Sequence, residues 1–329
     1  MSRRRTPLPT VAPASGAITG LRPTKSPGKV IPVIERNLIK KDGTKRRREW
    51  GIHPSELAKP NPCARRMYYQ LSGWGKAAHL EEYEPSHGES FSARSLQIFA
   101  EGHSIHDKWQ GWMWDAGLLW GEYWCINCDH KWLATAPTEC EECQAGRLFL
   151  KYLEVPLRSP KHLIVGHADG KVTDHLMEIK SVGAGTVRME APVLYAKHAE
   201  DVGDPTGYKL WNDIKRPFPS HVKQGMIYAW SHGVREMVYI YEWKATQANK
   251  EFTVKVRMAT LQPLLDLCLV VKDALEEGEP PRKGYMKTSD ACKGCEYRGV
   301  CWPSLKKKQK EEHDGEEAPA VVIRRIRAS

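Results

Sequence analysis

The chain has 329 residues, enough for one large domain or two ordinary ones and for a core that does not need disulfides to fold. Its hydrophobic content of 41% is typical of a soluble globular protein, and no apolar run reaches the roughly 18 residues of a membrane helix, so we expect no membrane partner. The formal net charge is +10, but residues 1–50 hold the whole surplus, with 13 Lys or Arg and three Asp or Glu. The charge therefore indicates a basic arm on a neutral body and does not by itself establish nucleic-acid binding.

The N-terminal segment, residues 1–50, is predicted to be a disordered basic arm. It begins with an Arg cluster but lacks the apolar stretch of a secretory signal, and five prolines within residues 1–30 interrupt any amphipathic helix of an organellar leader. We therefore expect a cytoplasmic protein rather than an organellar one. In that reducing compartment, clustered cysteines bind metal more often than they form disulfides.

Ordered structure is predicted to start near Trp50, with a helix capped by Ser55 and a second helical segment from Cys63 to Leu71. A long helix is predicted over 92–115, because apolar residues recur at spacings of three and four along one face that also carries His106 and Gln110.

The pattern then changes to that of strands. After a Cys- and Trp-rich insert at 121–147, alternation predicts three consecutive strands, and a helix, two strands and a further helix follow a loop-rich stretch. The predicted strands are 148–157, 163–172, 175–182, 236–243 and 252–258, and the helices are 221–232 and 261–277. A Cys-rich knot at 290–302 precedes a charged tail at 304–329. This order predicts a mixed α/β core with inserts over 51–303.

Four cysteines in the insert have the spacing of a zinc ribbon. Each C-x2-C pair offers two thiolates, and two pairs complete a closed tetrahedral site whose expected role is structural. The predicted Zn²⁺ ligands are Cys125, Cys128, Cys140 and Cys143.

Cys292, Cys295 and Cys301 supply three further thiolates, one short of a closed site. Cys63 lies at a helix start followed by two arginines, where a thiolate is favoured, and is the better candidate for the fourth ligand. Cys268 lies in an apolar run and is predicted to be a core thiol. Spacing alone leaves both zinc and an iron–sulfur cluster open.

Two acids and a lysine lie on adjacent predicted strands. A hairpin between the strands would bring Asp169 and Glu178 together, and alternation places Glu178 and Lys180 on one face. Two carboxylates can hold Mg²⁺ or Mn²⁺, which polarises a phosphodiester and activates water, while a lysine stabilises developing charge.

Two helical signals accompany this group. His106, in a G-x3-H pattern on the long helix, is a candidate metal ligand. Gln224 and Tyr228 are four residues apart on a helix and share a face, from which they could contact DNA or the lysine.

In chain order these motifs are Cys63, G-x3-His106, G-x-x-Asp169, Glu178-x-Lys180, Gln224-x3-Tyr228 and C-x2-C-x5-C at 292–301. The order resembles the PD-(D/E)XK nuclease superfamily and, more narrowly, the RecB-like iron–sulfur exonucleases, such as the AddB nuclease domain and the CRISPR-associated exonucleases. The resemblance covers residues 52–302. The insert is not part of the minimal family pattern, and no proline precedes Asp169.

The resemblance implies a PD-(D/E)XK core, a central mixed sheet flanked by helices, with an iron–sulfur clasp joining its N- and C-terminal parts. It implies a divalent metal on His106, Asp169, Glu178 and the backbone carbonyl of Ile179, with Lys180 as the catalytic lysine and Gln224 and Tyr228 assisting. It also implies a four-iron four-sulfur cluster. Its ligands would be Cys63, Cys292, Cys295 and Cys301.

The function implied by the resemblance is a metal-dependent DNA exonuclease of recombination, repair or replication, encoded by a phage or mobile element and active in the bacterial host cytoplasm. No G-x4-G-K-[ST] motif occurs, so the chain is expected to be either a stand-alone nuclease or a subunit that relies on a helicase or recombination protein for strand separation. The alternatives are a non-catalytic DNA-binding module built on the ribbon and the basic arm, and a structure-specific endonuclease on the same fold.

Overall fold

The structure, a computed structural model, describes residues 30–43, 51–72, 91–200 and 203–303. Its centre is a mixed sheet with strand order β2-β1-β6-β7-β8-β9. Strand β3 also pairs with β1, at the end of the sheet that carries the cysteine-rich insert, which is called the ribbon end below. Neighbouring strands are antiparallel except for the parallel pair β7 and β8. A second, two-stranded sheet is formed by β4 and β5. The strands are β1 Leu119–Cys125, β2 Lys131–Thr135, β3 Leu150–Tyr152, β4 Val155–Ser159, β5 Ile164–Ala168, β6 Gly170–Val172, β7 His175–Val182, β8 Glu236–Trp243 and β9 Asn249–Lys255.

Helices cover both faces of the central sheet, as the strand burial requires. Strand β8 is buried along almost its whole length, which is the pattern of a strand covered on two sides. The helices are α1 Ile31–Gly43, α2 Pro54–Leu57, α3 Ala64–Ser72, α4 Ala93–Asp115, α5 Ala184–Glu190, α6 Pro192–His198, α7 Tyr208–Asp213, α8 Pro219–Ser231, α9 Met258–Glu277, α10 Asp290–Lys293 and α11 Arg298–Cys301. The predicted mixed α/β architecture, a central sheet flanked by helices, is confirmed.

The two faces of the sheet have separate apolar cores. Helix α4 packs Ile105 against Met177 and Ile179 of β7 on one face. On the other face, α8 and α9 contribute Ile227 and Leu264 to the main core. Cys268 belongs to that core and is fully buried, as predicted for a core thiol.

Helix α8 lies very close to β8, and Gly225 makes this approach possible. A Cβ atom at position 225 would overlap the Tyr239 hydroxyl and lie 2.8 Å from Met237 Cγ. The Tyr239 hydroxyl donates to the carbonyl of Val222 at 3.1 Å, which ties the helix to the strand. This contact fixes α8, and with it Gln224 and Tyr228, over the sheet.

The predicted strand boundaries were wrong at two positions. The segment predicted as one strand over 148–157 is broken at Glu154, whose φ is +70°, and β3 and β4 enter different sheets. The segment predicted as one strand over 163–172 is broken at Asp169, between β5 and β6. Alternation cannot reveal such breaks, because the residues on either side keep a strand pattern. Both breaks occur at acidic residues.

Three local predictions also differ from the structure. The stretch 183–220 was predicted to be loop-rich but contains α5, α6 and α7, whose brevity hides the helical period. The residue before α2 is His53, with Pro54 in the first turn, so Ser55 lies inside the helix and does not cap it. Within the predicted basic arm, α1 spans Ile31–Gly43.

Of the predicted arm, residues 1–29 and 44–50 lie outside the described residues, as does the predicted tail, 304–329. Over the described parts of the chain, none of the helices combines the length and apolar character needed to cross a bilayer.

Candidate active site

The hairpin of β6 and β7 brings the predicted acids together. Gly170 pairs with Met177 and Val172 with His175, so the turn falls at Thr173 and Asp174 as predicted. Asp169 lies immediately before β6, and its Oδ2 accepts a hydrogen bond from the backbone N–H of Ile179 at 2.6 Å. This bond locks the Asp169 carboxylate beside β7, next to Glu178.

His106 and Glu154 join Asp169 from two other elements. His106, on α4, places Nδ1 at 3.3 Å from Asp169 Oδ1. Glu154 lies in the link between β3 and β4, and one ligand atom of each of the three residues lies within 4.8 Å of the others. Gln110, one turn beyond His106 on α4, donates to the Asp169 carbonyl at 2.8 Å and contacts Glu154 Oε1 at 3.4 Å. The predicted ligands His106 and Asp169 are therefore adjacent.

Sequence reasoning missed Glu154. Its position in a predicted strand gave no reason to single it out, and the signal that identifies it is its left-handed backbone, which turns the chain between two sheets. Gly121 permits this turn, since a Cβ atom there would lie 2.8 Å from the Glu154 carbonyl. Strained backbone of this kind is enriched at functional sites.

Glu178 and Lys180 form an ion pair on one face of β7, as alternation predicted, with Glu178 buried and Lys180 partly buried. Lys180 Nζ lies 2.6 Å from Glu178 Oε1, and Glu178 is almost completely buried. Glu178 Oε2 is buried and has no hydrogen-bond partner in the described structure. Glu178 therefore lies beside the His106, Glu154 and Asp169 group, with one oxygen held by the lysine and the other unsatisfied.

Gln224 and Tyr228 reach this ion pair from α8. Lys180 Nζ donates to Gln224 Oε1 at 3.2 Å, and Gln224 lies beside the buried Tyr228 hydroxyl. The shared helix face predicted for the two residues thus points at the lysine. Burial, with the negative charge of Glu178 nearby, raises the pKa of Tyr228, so its hydroxyl stays protonated and can donate.

Negative charge is crowded in this site. Burial, together with the charge of the Asp169 carboxylate, raises the pKa of Glu154 to about 7. Burial likewise raises the pKa of Glu178, although Lys180 opposes the shift. For Lys180, burial opposes the charge, but the Glu178 and Asp169 carboxylates outweigh it and raise the pKa, so the lysine stays cationic.

The residues fit a divalent cation. Carboxylate oxygens with one imidazole are a donor set that Mn²⁺ accepts and that Mg²⁺ shares through its oxygens. The unsatisfied Glu178 oxygen and the raised pKa of Glu154 are both features that a nearby cation would relieve. The N–H of Ile179 points toward Asp169, and since the N–H and C=O of a strand residue face the same neighbour, its carbonyl faces this site as well.

The four insert cysteines are brought together as predicted. Their sulfur atoms all lie within 4.8 Å of one another, with Cys125 and Cys143 at 3.6 Å and Cys128 and Cys140 at 3.6 Å. A hydrogen bond from the Asn127 amide, with backbone donors, lowers the pKa of Cys143 to about 6, which favours the thiolate that metal binding requires. The geometry is that of a four-thiolate metal site. The insert is not a separate body, because β1 and β2 extend the central sheet.

Cys63 lies near the three C-terminal cysteines, although more than 200 residues separate them in the sequence. Burial raises the pKa of both Cys295 and Cys301, and the charge of Cys63 contributes to both shifts. The charge of Cys292 also contributes to the raised pKa of Cys301. Within the described parts of the chain, two groups have all their ligand atoms within 4.8 Å of one another: the four insert cysteines, and His106, Glu154 and Asp169. The thiols of Cys63, Cys292, Cys295 and Cys301 are not gathered that closely.

No protein-family model matches the chain, and no curated protein matches it either. Among solved structures, that of SSO0001 is similar at a TM-score of 0.35 and 16% identity, covering 84% of this chain and 98% of that chain. An alkaline exonuclease, LHK-Exo from Laribacter hongkongensis, is similar at a TM-score of 0.36 and 10% identity, covering 74% of this chain and 93% of that one. Its complex with dAMP is similar at the same TM-score and 11% identity. Similarity at this level does not determine an activity.

Proposed function

We propose that this protein is a Mg²⁺- or Mn²⁺-dependent DNA exonuclease. The observation that supports the proposal is the convergence of His106, Glu154 and Asp169 on one point, beside the ion pair of Glu178 and Lys180. Acids that gather around a shared point and a lysine held by two partners are an arrangement suited to phosphodiester hydrolysis. The RecB-like motif order is consistent with the same activity.

In this proposal, His106, Asp169, Glu178 and the Ile179 carbonyl hold the metal, and Glu154 is added to the predicted set. When bound there, a divalent ion polarises the phosphodiester and lowers the pKa of a coordinated water. Gln110 supports the set from behind, because it bonds both the Asp169 backbone and the Glu154 carboxyl group.

Lys180 is proposed to stabilise the negative charge that develops on the phosphate oxygens. Glu178 and Gln224 hold its Nζ at 2.6 Å and 3.2 Å, so the ammonium group needs little reorganisation when charge develops. Tyr228 lies beside Gln224, and both residues lie on α8. The two α8 residues are therefore proposed as positioning residues.

We also propose that Cys63, Cys292, Cys295 and Cys301 hold a four-iron four-sulfur cluster, and that the insert cysteines hold structural Zn²⁺. Zn–S bonds of about 2.3 Å place tetrahedral thiolates roughly 3.8 Å apart, which is close to the sulfur separations of 3.6 Å in the ribbon.

Hydrolysis of linear and closed circular DNA with added Mg²⁺ or Mn²⁺ tests the function. We expect the wild type to degrade linear DNA and leave the closed circle intact. Asp169→Asn and Lys180→Ala should each lower the rate at least about 100-fold, because they remove a metal ligand and the charge that stabilises the transition state. The control is Asp174→Asn, which changes an exposed acid in the turn of the same hairpin and should retain the wild-type rate.

Equal rates in the wild type and both site variants would contradict a nuclease at this site. Cleavage of the closed circle, abolished by Asp169→Asn, would instead show an endonuclease on the same residues. Binding of DNA without cleavage under any metal condition would favour the non-catalytic DNA-binding alternative.

A further inference from the structure

The ribbon end of the central sheet has an outward face built from tryptophans and lysines. We propose that this tryptophan–lysine face, formed by Trp120, Trp124, Lys131, Lys151 and Lys171, binds single-stranded DNA. The proposal rests on the nuclease function proposed above, because it assigns a second surface that holds the substrate of that site.

Cross-strand pairing assembles the face. Trp124 on β1 lies directly between Lys131 of β2 and Lys151 of β3. Their Nζ atoms lie 5.8 Å and 5.4 Å from the centre of the Trp124 ring. Two pairs farther along β1, Trp120 lies opposite Lys171 of β6, whose Nζ is 5.0 Å from the ring centre. The two indoles are therefore about 13 Å apart along one strand, each with a lysine over it.

A side-chain hydrogen bond holds the Trp124 ring in place. Its Nε1–H donates to Asp129 Oδ1 at 2.8 Å, and the ring remains only partly buried on a surface where Lys131 and Lys151 are exposed. A fixed, accessible indole with cations beside it is the arrangement by which proteins bind unpaired bases, since the base stacks on the ring and the lysines contact the flanking phosphates. Duplex DNA offers no free base face, so the ring selects a single strand.

The charge of the face favours a polyanion. Three lysines share it with two carboxylates, that of Asp129 beside the Trp124 ring and that of Glu122, which interacts with His167 on β5. Thr135 and the half-exposed Leu133 complete the described strand positions on this side of β2. The ribbon end thus presents positive charge and aromatic surface together, which apolar packing alone would not require.

The face lies on the same side of the central sheet as Glu178 and Lys180. Trp120 pairs with Lys171, and Lys171 pairs with Leu176 of β7, so all three point to the same side of the sheet. Alternation along β7 then places Glu178 and Lys180 on that side too. Leu176 lies between the face and that pair and is fully buried in the main core, so the tryptophan–lysine face is a separate surface on the same side of the sheet as Lys180.

The competing explanation is that these pairs only stabilise the ribbon sheet, because cross-strand and cation–π contacts do so without any ligand. Binding of a fluorescent single-stranded oligonucleotide separates the two. All substitutions are made in the Asp169→Asn variant, which should not cleave the oligonucleotide during the measurement. Zinc content and circular dichroism monitor the fold of each variant.

In that background we expect Trp124→Ala to raise the dissociation constant about ten-fold or more, and Trp124→Phe to keep most of the affinity because it keeps an aromatic ring. The double substitution Lys131→Gln with Lys151→Gln should lower the slope of log K against log salt by about 1.4, the value for two lost phosphate contacts on a single strand. The matched control is Trp112→Ala, which removes an exposed tryptophan under Lys108 on α4, against the opposite face of the sheet, and should leave affinity unchanged.

An unchanged salt slope in the double lysine variant would overturn the proposal, even if Trp124→Ala proves to disturb the zinc site, because both lysines are exposed and their replacement leaves the fold intact. Equal losses for Trp124→Ala and Trp112→Ala would overturn it as well. The two proposals fail separately: a protein that cleaves DNA but shows no effect of these substitutions keeps the nuclease function and loses this face. A protein that never cleaves but shows the predicted binding losses keeps the face and loses the nuclease function.

Discussion

At the scale of single residues, Glu154 shows how backbone geometry builds the site. A left-handed conformation costs a non-glycine residue about 1–3 kcal/mol, and here it turns the chain from the central sheet into the two-stranded sheet. The turn is held by two backbone hydrogen bonds of 2.8 Å between Glu122 and the segment at 153–154. The strain is therefore supported by β1, and it directs an acid into the group formed by His106 and Asp169.

A metal-binding prediction follows for this residue. We expect Mn²⁺ to raise the thermal midpoint of the wild type, and Glu154→Gln to raise the Mn²⁺ dissociation constant at least about ten-fold because one ligand is lost. At saturating metal this reduces the metal-induced stabilisation by about 1.4 kcal/mol. Thermal melts over a Mn²⁺ series measure it, with Asp174→Asn as the variant that should match the wild type. A full Mn²⁺ response in Glu154→Gln would exclude Glu154 as a ligand.

At the scale of elements, the placement of α8 against β8 decides whether Gln224 reaches Lys180. The helix lies so close that Gly225 has no room for a methyl group, although alanine is the better helix former. Sequence alone would rate this glycine as a weakness in the helix. Only the packing of Tyr239 and Met237 against it explains why the site needs it.

Two glycine substitutions on different helices test this packing. Gly225→Ala should destabilise the fold by about 1–3 kcal/mol through overpacking and should weaken the bond between Tyr239 and Val222. Gly111→Ala on α4, where a Cβ atom meets nothing within 4 Å, should instead stabilise it by up to about 1 kcal/mol. Denaturant unfolding gives both values. The interpretation fails if the two substitutions shift stability in the same direction.

At the scale of the whole molecule, the segment around Cys63 is joined to the C-terminal part of the chain. Arg66 pairs with Glu296 at 2.8 Å, Arg65 donates to the Pro281 carbonyl at 2.7 Å, and the Tyr285 hydroxyl donates to the Pro62 carbonyl at 3.1 Å. These contacts flank the four widely spaced thiols. The predicted clasp thus has polar connections of its own, to which a cluster would add covalent ones.

Elemental analysis of protein purified without oxygen tests the clasp. We expect iron and zinc together with a brown colour, and Cys295→Ser should lose iron and much of its stability while retaining zinc, because cluster binding contributes to folding. Cys268→Ala is the matched control: it removes a buried core thiol, and both metals should remain. A colourless protein with about two zinc ions per chain and no iron would assign zinc to the clasp.

The features that depend on neighbouring residues could be predicted from the sequence. The spacing of Cys125, Cys128, Cys140 and Cys143 predicts a four-thiolate cluster, and strand alternation places Glu178 and Lys180 on one face. The turn between β6 and β7 was predictable for the same reason. Each of these rests on the local geometry of a knuckle, a strand or a hairpin, which a few consecutive residues determine.

The features that depend on contacts between distant segments were decided by the tertiary structure. Glu154 enters the site because β3 and β4 belong to different sheets, and Glu178 gives one oxygen to Lys180 because burial excludes water from the pair. The tryptophan–lysine face exists because β2, β3 and β6 all pair with β1. Strand pairing and burial are set by the packing of the whole chain, and no local pattern encodes them.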